Sequence, residues 1–179
     1  PRTMLQTAPQ HIQIAKVLHH ELEKVEKIFC DQLASDLPAV NELCRHVERY
    51  RGKMLRPSIL LLTGLAVSGE PCDGSSLTEH HLKIATVVEM IHMATLVHDD
   101  ILDEALIRRR GATVNSLRGN ETAVMLGDYL ISNAFHLCSK VGRSEINEIL
   151  GHVTNTLCEG ELVQLSHRDD LGLDHATYI

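Results

Sequence analysis

A long apolar segment that ends in a group of acidic residues is the sequence feature that most restricts how this chain can fold. Residues 82–97 are largely apolar and contain no glycine or proline, a pattern that favours a buried helix. Asp99, Asp100 and Asp103 follow directly. Because successive helical residues are about 100° apart, Asp99 and Asp103 lie on one face a turn apart, with Asp100 beside them. The sequence therefore predicts a central helix with a carboxylate cluster at its C-terminal end.

This carboxylate cluster is unfavourable unless a cation accompanies it. Like charges at this spacing repel one another, and the negative end of the helix dipole disfavours them further. A solvated acidic helix end, extended by Glu104, is the simplest alternative. Mg²⁺ would remove the repulsion, and it is typically held by one or two carboxylates together with water and substrate phosphates. We therefore predict that Asp99, Asp100 and Asp103 form a metal site.

Two basic segments could supply anion-binding groups. Arg108-Arg109-Arg110 lies a few residues after the aspartates, and guanidinium groups pair well with phosphate oxygens. A solvated run of surface charge explains three arginines equally well. In the segment Gly52-Lys53-Met54-Leu55-Arg56-Pro57, glycine allows close approach of the backbone to a ligand, and a helix N-terminus favours anions. An ordinary junction between a loop and a helix remains an equal explanation. Acids, metal and arginines together make a diphosphate site the leading interpretation.

Composition limits the class of protein. A length of 179 residues predicts one domain, and 44% hydrophobic with only 3% aromatic residues predicts an aliphatic core. A net charge of −7 argues against a nucleic-acid partner, which requires a basic surface. The five cysteines include no Cys-x-x-Cys pair, which indicates reduced thiols in the core and a cytoplasmic protein. The sequence contains no uncharged apolar run of about 18 residues, so no transmembrane segment is predicted, and no signal peptide is recognised.

The periodicity along the chain predicts an all-α fold without strands and a single domain over residues 1–179, with residues 1–8 disordered. Helices are expected to begin at Pro9 and Pro38 and to cover Ser58–Val67, the last of which is almost wholly apolar and therefore expected to be buried. Thr78 is expected to cap the central helix, which ends near Ala105. A connector over residues 106–119 leads to helices that start at Asn120, after a capping Ser144, and at Asp174.

Several short motifs occur in the order and at the spacing of one enzyme family. They lie within residues 40–165 and read Gly52-Lys53-x-x-Arg56-Pro57, Glu89-Met90-Ile91-His92-x-Ala94-Thr95-Leu96-x-His98-Asp99-Asp100-x-x-Asp103-Glu104, Arg108-Arg109, Thr113-Val114-Asn115, Gly119-Asn120, Gly127-Asp128-Tyr129-Leu130 and Glu159-Gly160-Glu161-Leu162-x-Gln164. Together they resemble the trans-prenyltransferases, the polyprenyl (isoprenoid) diphosphate synthases.

The resemblance implies an antiparallel helical bundle of the isoprenoid synthase type around a deep cavity, usually in a homodimer. It implies that the aspartates bind an allylic diphosphate through Mg²⁺ and that Arg108 contacts the same diphosphate, so that these four residues are catalytic. The residues that match the isopentenyl diphosphate site are Lys53, Arg56, His92 and Arg109. The residues that match chain-length positions are Ala94 and Thr95, small where short-chain enzymes often carry aromatics, with Phe135 as a possible cavity floor. A product longer than farnesyl diphosphate is therefore expected.

The sequence also departs from the family. The family's second aspartate-rich motif and two later lysines have no counterpart, because Asp169-Asp170 has the wrong spacing. The chain is therefore expected to be the N-terminal portion of a synthase and inactive alone, and Arg110 is an extra charge without a role. Three alternatives stay open: a metal-dependent phosphohydrolase that uses His92, His98 and Asp99; a non-catalytic subunit of a prenyl synthase; and a helical fragment that associates through exposed apolar faces.

Overall fold

The computed structural model describes residues 9–50, 52–69, 73–109 and 111–178, and for residues 9–12, 177 and 178 it describes the backbone only. The expectations about residues 1–8, Cys72 and Arg110 lie outside the described residues. No helix in the described part of the chain is long and apolar enough to cross a membrane.

Helices dominate the described residues, and the all-α prediction is confirmed. The elements are α1 (Pro9–Leu33), α2 (Pro38–Glu48), α3 (Leu55–Ser68), α4 (Glu79–Leu102), β1 (Ile107–Arg108), β2 (Gly111–Ala112), α5 (Val114–Arg118), α6 (Asn120–Ser139), α7 (Ser144–Ser166) and α8 (His175–Tyr178). The prediction of no strand is wrong in one place. In the connector after α4, β1 and β2 form an antiparallel ladder in which Ile107 pairs with Ala112 and Arg108 with Gly111.

The helix boundaries show which local signals were interpreted correctly. Thr78 caps α4 through a capping box, in which the Thr78 backbone N–H donates to His81 Nδ1 at 3.1 Å. α3 begins at Leu55 rather than after Pro57, which lies within its first turn, where a missing N–H has no consequence. Ser144 is the first residue of α7 and not its cap, because Arg143 occupies the N-cap position without a side-chain hydrogen bond.

The prediction that α3 is buried holds for one face of the helix and is wrong for the other. Pro57, Leu61 and Leu65 are buried, whereas Ile59 and Val67 are 56% and 82% exposed. Apolar composition alone could not distinguish a helix that packs on one side from one that packs all round. In this structure only one face of α3 contacts its neighbours α1 and α4.

The chain divides into two compact units, residues 1–141 and 142–179. In the first unit α4 packs against α6, α3 and α1. Its buried residues include Met90, Met93 and Val97, so the prediction of an aliphatic core is confirmed there. The second unit contains α7 and α8, and none of the described residues of α7 is buried. The single domain over residues 1–179 stays a prediction.

The cysteines only partly follow the prediction that they fill the core. Cys44 and Cys138 are buried, Cys30 is half-buried and Cys158 is exposed, and all of these are free thiols. Burial raises the pKa of the Cys44 thiol to about 11, with a smaller contribution from the negative charge of Glu48. Cys44 is therefore an unreactive core residue, whereas Cys158 contradicts the prediction of a core position.

Candidate functional site

The three aspartates lie at the C-terminal end of α4 in different environments. Asp100 is only 1% exposed, Asp99 is half-buried, and Asp103 is exposed. Asp103 is the C-cap residue, and its backbone N–H donates to the carbonyl oxygen of Asp99 at 2.8 Å. In the described part of the chain, no three histidine, cysteine or acidic side chains are grouped closely enough to hold a metal ion. The three-carboxylate metal site therefore stays a prediction.

Asp100 forms an ion pair with Arg108. The Arg108 Nε–H donates to Asp100 Oδ1 at 2.8 Å, and the two side chains are 25% and 2% exposed. Burial raises the pKa of the Asp100 carboxyl, while the hydrogen bond and charge of Arg108 act in the opposite direction. The second carboxylate oxygen, Oδ2, is buried and has no hydrogen-bond partner of ordinary geometry among the described residues. Arg108 is thus held by a carboxylate that the sequence had placed in the metal site.

Polar side chains fix the connector against the end of α4, and this explains why Arg108 reaches Asp100. Asn115 donates from Nδ2 to the carbonyl oxygens of Asp100 at 3.1 Å and Ala105 at 3.2 Å. The Thr113 hydroxyl donates to the same Ala105 oxygen at 2.7 Å, and it also accepts the Ser116 N–H as the cap of α5. The segment 113–115 therefore closes the loop that carries the arginines.

The arginines of the two basic segments converge on His92. This histidine is half-buried on α4, and its pKa is lowered to about 4, first by burial and then by the positive charges of Arg56, Arg109 and Arg108. Three arginines that the sequence assigned to diphosphate binding are thus close enough to His92 to lower its pKa. Lys53, in the segment before α3, is exposed. At neutral pH the His92 imidazole is neutral, and the three guanidinium charges act on it.

We expect His92 to titrate near pH 4 in the folded chain, as measured from its imidazole proton shifts by NMR. Since the folded state resists protonation, the free energy of unfolding should fall as pH decreases from about 6.5 to about 4, by at most about 3 kcal/mol. Arg56→Ala should raise the pKa of His92 because it removes a neighbouring positive charge. Arg118→Ala, which removes an exposed arginine paired with Glu42, is the control and should leave it unchanged. A His92 midpoint near 6.5 in the unaltered chain would contradict this prediction.

Gly52 lies directly against the end of an arginine side chain, and the approach of a ligand at this glycine stays a prediction. A Cβ atom at Gly52 would lie 2.5 Å from Nη1 and 2.6 Å from Nη2 of Arg109. Arg109 itself has a φ of +47°, and the other described non-glycine residues with positive φ are Met54 at +51° and Glu104 at +50°. All three lie in the segments that carry the candidate site residues. Strained backbone of this kind often accompanies functional sites.

His98, next to the aspartates, packs into a notch on α6. Its imidazole lies directly against Gly127, so close that Nε2 occupies the space a Cβ would need. Nε2 is 3.1 Å from the carbonyl oxygen of Val124 and 3.6 Å from Asp128 Oδ1. The nitrogen therefore carries the proton that it donates to Val124. These contacts fix the rotation of α4 relative to α6 just before Asp99.

The three chain-length positions occupy different environments in the same unit. Ala94 is fully buried, and Thr95 is half-buried with its hydroxyl donating to the carbonyl oxygen of His92 at 2.8 Å. Phe135 is half-buried on α6. Their proposed effect on product length stays a prediction.

Tyr50 and Gly127 belong to the site's framework, although the residue-by-residue reasoning gave neither a role there. Tyr50 is 2% exposed, and its hydroxyl oxygen accepts the Val114 N–H at 2.9 Å. A buried tyrosine normally has a partner for its hydroxyl, which was the available signal. Gly127 interrupts an otherwise good helix, and such a glycine usually marks close packing.

Comparison with known proteins defines the family. The sequence model of polyprenyl synthetase matches residues 37–179. This chain belongs to the polyprenyl synthetase family. The octaprenyl diphosphate synthase of Escherichia coli is 32% identical over 167 residues, which cover 93% of this chain and 50% of that protein. The chain spans about half the length of the curated relatives it matches.

Solved structures of the family confirm the isoprenoid synthase fold. A polyprenyl synthase from Caulobacter crescentus, solved with calcium and isoprenyl diphosphate, has a TM-score of 0.81 and 30% identity, covering 93% of this chain and 48% of that one. A decaprenyl diphosphate synthase from Rhodobacter capsulatus also has a TM-score of 0.81, at 32% identity, covering 94% of this chain and 50% of that one. The predicted family and fold class are therefore confirmed.

Proposed function

We propose that this chain provides the first diphosphate-binding half of a polyprenyl diphosphate synthase. The observation that carries the proposal is the convergence of Arg56, Arg108 and Arg109 on His92, beside the aspartates that end α4. Guanidinium groups gathered around a neutral imidazole favour a polyanion such as a diphosphate. The names of the relatives, octaprenyl and decaprenyl diphosphate synthases, support the same class of substrate.

The donor set at the end of α4 fits Mg²⁺. Asp99 and Asp103 offer hard carboxylate oxygens one turn apart on the more accessible side of the helix, which is enough for an ion that takes further ligands from water and phosphates. Asp100 is turned to Arg108, so we assign Asp99 and Asp103 as principal ligands and Asp100 as a lesser one. When bound, Mg²⁺ supplies positive charge beside the diphosphate oxygens.

Each protein group then has a defined task in prenyl transfer. Arg108 stabilises the negative charge that grows on the allylic diphosphate as its C–O bond breaks. The isopentenyl diphosphate is bound by Lys53, Arg56, His92 and Arg109, with His92 neutral and able to donate a hydrogen bond without adding charge. The double bond of isopentenyl diphosphate attacks the allylic cation, and loss of a proton leaves a chain one isoprene unit longer.

Binding of an allylic diphosphate analogue that cannot ionise tests this function directly. Calorimetry on the 179-residue chain should show binding that requires Mg²⁺ and is abolished by the double substitution Asp99→Ala/Asp103→Ala. The matched control is Asp169→Ala/Asp170→Ala, which removes two exposed carboxylates of the second unit. Binding that persists without Mg²⁺ or in the first double variant would reject the assignment of the aspartates.

Other parts of the proposal go beyond single-site binding. Small residues at Ala94 and Thr95, with Phe135 further along, favour a product longer than farnesyl diphosphate.

The functional protein is a homodimer in this proposal, and a cytoplasmic location stays a prediction from the sequence. Since the sequence contains no second aspartate-rich motif, we expect prenyl transfer by these 179 residues alone to be absent or very weak.

The phosphohydrolase alternative receives less support. His98 is engaged with Val124 and Gly127, and His92 lies among arginines whose charges oppose a bound cation. A phosphohydrolase would lose activity on His98→Ala and keep it on Asp103→Ala. For a prenyl synthase we expect Asp103→Ala to weaken diphosphate binding and His98→Ala to retain it.

A further inference from the structure

Tyr50 connects three elements around the Asp100–Arg108 pair. It follows the end of α2, is 2% exposed, and accepts the backbone N–H of Val114, the first residue of α5, at 2.9 Å. Its ring packs edge-on against the imidazole of His46, with 5.8 Å between ring centroids. His46 Nε2 in turn donates to the carbonyl oxygen of Ala112 in β2 at 2.8 Å. The Tyr50 ring is therefore fixed from two sides.

Near Tyr50, one hydrogen-bond donor and one acceptor have no assigned partner: the proton of the Tyr50 hydroxyl and the Oδ2 atom of Asp100. The hydroxyl oxygen already accepts from Val114, so its proton is available to a second group. Asp100 Oδ1 accepts from Arg108, whereas Oδ2 is buried and lacks a partner of ordinary geometry. Tyr50 and Arg108 line the same cavity, which places Tyr50 next to the Asp100–Arg108 pair, and the charge of Asp100 acts on the pKa of Tyr50. A buried unpaired carboxylate oxygen is unfavourable, and a small shift of the Tyr50 hydroxyl toward it would satisfy it.

We propose that Tyr50 donates its hydroxyl proton to Asp100 Oδ2 and is the positioning residue that holds Arg108 toward the diphosphate. Tyr50 fixes Asp100, Asp100 fixes the Arg108 Nε–H, and the remaining guanidinium N–H groups of Arg108 stay available to an anion. This inference rests on the proposed role of Arg108 in diphosphate binding. Tyr50 touches no substrate in this scheme.

The ring of Tyr50 alone cannot perform this role. Tyr50→Phe keeps the packing against His46 but leaves both the Val114 N–H and Asp100 Oδ2 without a partner. Asp100 then gains freedom to rotate, and Arg108 loses its fixed orientation. Tyr129→Phe is the matched control, because Tyr129 is half-buried on α6 and its hydroxyl forms no hydrogen bond with the described residues.

The test is the exchange rate of the Arg108 Nε–H with solvent, measured by NMR and assigned from the spectrum of Arg108→Lys. We expect Tyr50→Phe to speed this exchange at least fivefold and Tyr129→Phe to leave it unchanged. Unchanged exchange in a Tyr50→Phe variant whose amide spectrum is folded would overturn the inference. If that variant does not fold, the exchange of the Tyr50 hydroxyl proton with solvent is measured in the unaltered chain instead. A proton donated to Asp100 should exchange slowly, and rapid exchange would overturn the inference.

Diphosphate binding provides the functional readout. In Tyr50→Phe the Mg²⁺-dependent affinity for the allylic analogue should fall about tenfold, while Tyr129→Phe retains it. Equal affinity in Tyr50→Phe and the unaltered chain would show that Tyr50 does not position Arg108 for the anion. If the unaltered chain binds no diphosphate, the proposed function fails, and the NMR measurement still decides whether Tyr50 holds the Asp100–Arg108 pair.

Discussion

Gly127→Ala is expected to destabilise the first unit, although alanine is a better helix former than glycine. The new Cβ would overlap His98 Nε2 and lie 2.4 Å from Cδ2 and 2.7 Å from Cε1, at a buried position on α6. Relief of the overlap requires either that the His98 ring leaves this position and loses its hydrogen bond to Val124, or that α4 shifts in its contact with α6, the most extensive in the unit. Overpacking of this kind typically reduces the free energy of unfolding by about 1–3 kcal/mol. Urea unfolding followed by circular dichroism measures the change.

Removal of His98 should reverse the sign of this effect. In a His98→Ala background the space beside Gly127 is empty, so Gly127→Ala should raise the free energy of unfolding by up to about 1 kcal/mol through helix propensity alone. The coupling between the two substitutions should therefore be about 2–4 kcal/mol, which is large for a single contact. Such a reversal cannot arise from propensity or from a general loss of packing.

Gly151→Ala on α7 is the matched control. A Cβ at this helical glycine has no heavy atom within 4 Å, so the substitution should stabilise slightly in either background. If Gly127→Ala is destabilising to the same extent with and without His98, the notch between α4 and α6 does not have the proposed geometry. A shift of α4 would also move Asp99, so weakened Mg²⁺-dependent diphosphate binding should accompany the loss of stability.

Local features of the fold could be predicted from the sequence because they depend on neighbouring residues. The cap at Thr78 and the apolar run of α4 determine a helix through contacts three and four residues apart. The position of the aspartates at its end follows from the same spacing. The basic segments could be recognised from residue type, but their convergence on His92 depends on how α3, α4 and the connector pack.

Features that depend on distant residues could not be predicted. Tyr50 lies 64 residues from Val114, and no periodicity relates the two. His98 meets Gly127 only because α4 and α6 cross at that point. The two-residue ladder of β1 and β2 is too short to leave an alternating pattern. The partial burial of α3 depends on which neighbours are present, which composition does not reveal.

Arg108→Ala is expected to have the second large effect, because it leaves the buried Asp100 carboxylate without its charged partner. Loss of one partner from a buried ion pair typically reduces the free energy of unfolding by about 3–5 kcal/mol. Since a quarter of Arg108 is exposed and water screens part of the interaction, we expect about 2–3 kcal/mol at pH 7.5. Arg118→Ala, which breaks the exposed pair with Glu42, should change stability by less than about 0.5 kcal/mol.

The pH dependence separates this charge effect from lost packing. Burial already raises the pKa of Asp100, and removal of Arg108 should raise it further. A carboxyl with a raised folded-state pKa binds its proton more tightly when folded, so the deficit should shrink as pH falls toward about 4. In an Asp100→Asn background, Arg108→Ala should reduce the free energy of unfolding far less. Because loss of the Arg108 charge affects the pKa of His92 equally in both backgrounds, this effect cancels in the comparison. A deficit that is independent of both pH and Asp100 would mean that Arg108 stabilises the chain by packing rather than by its charge.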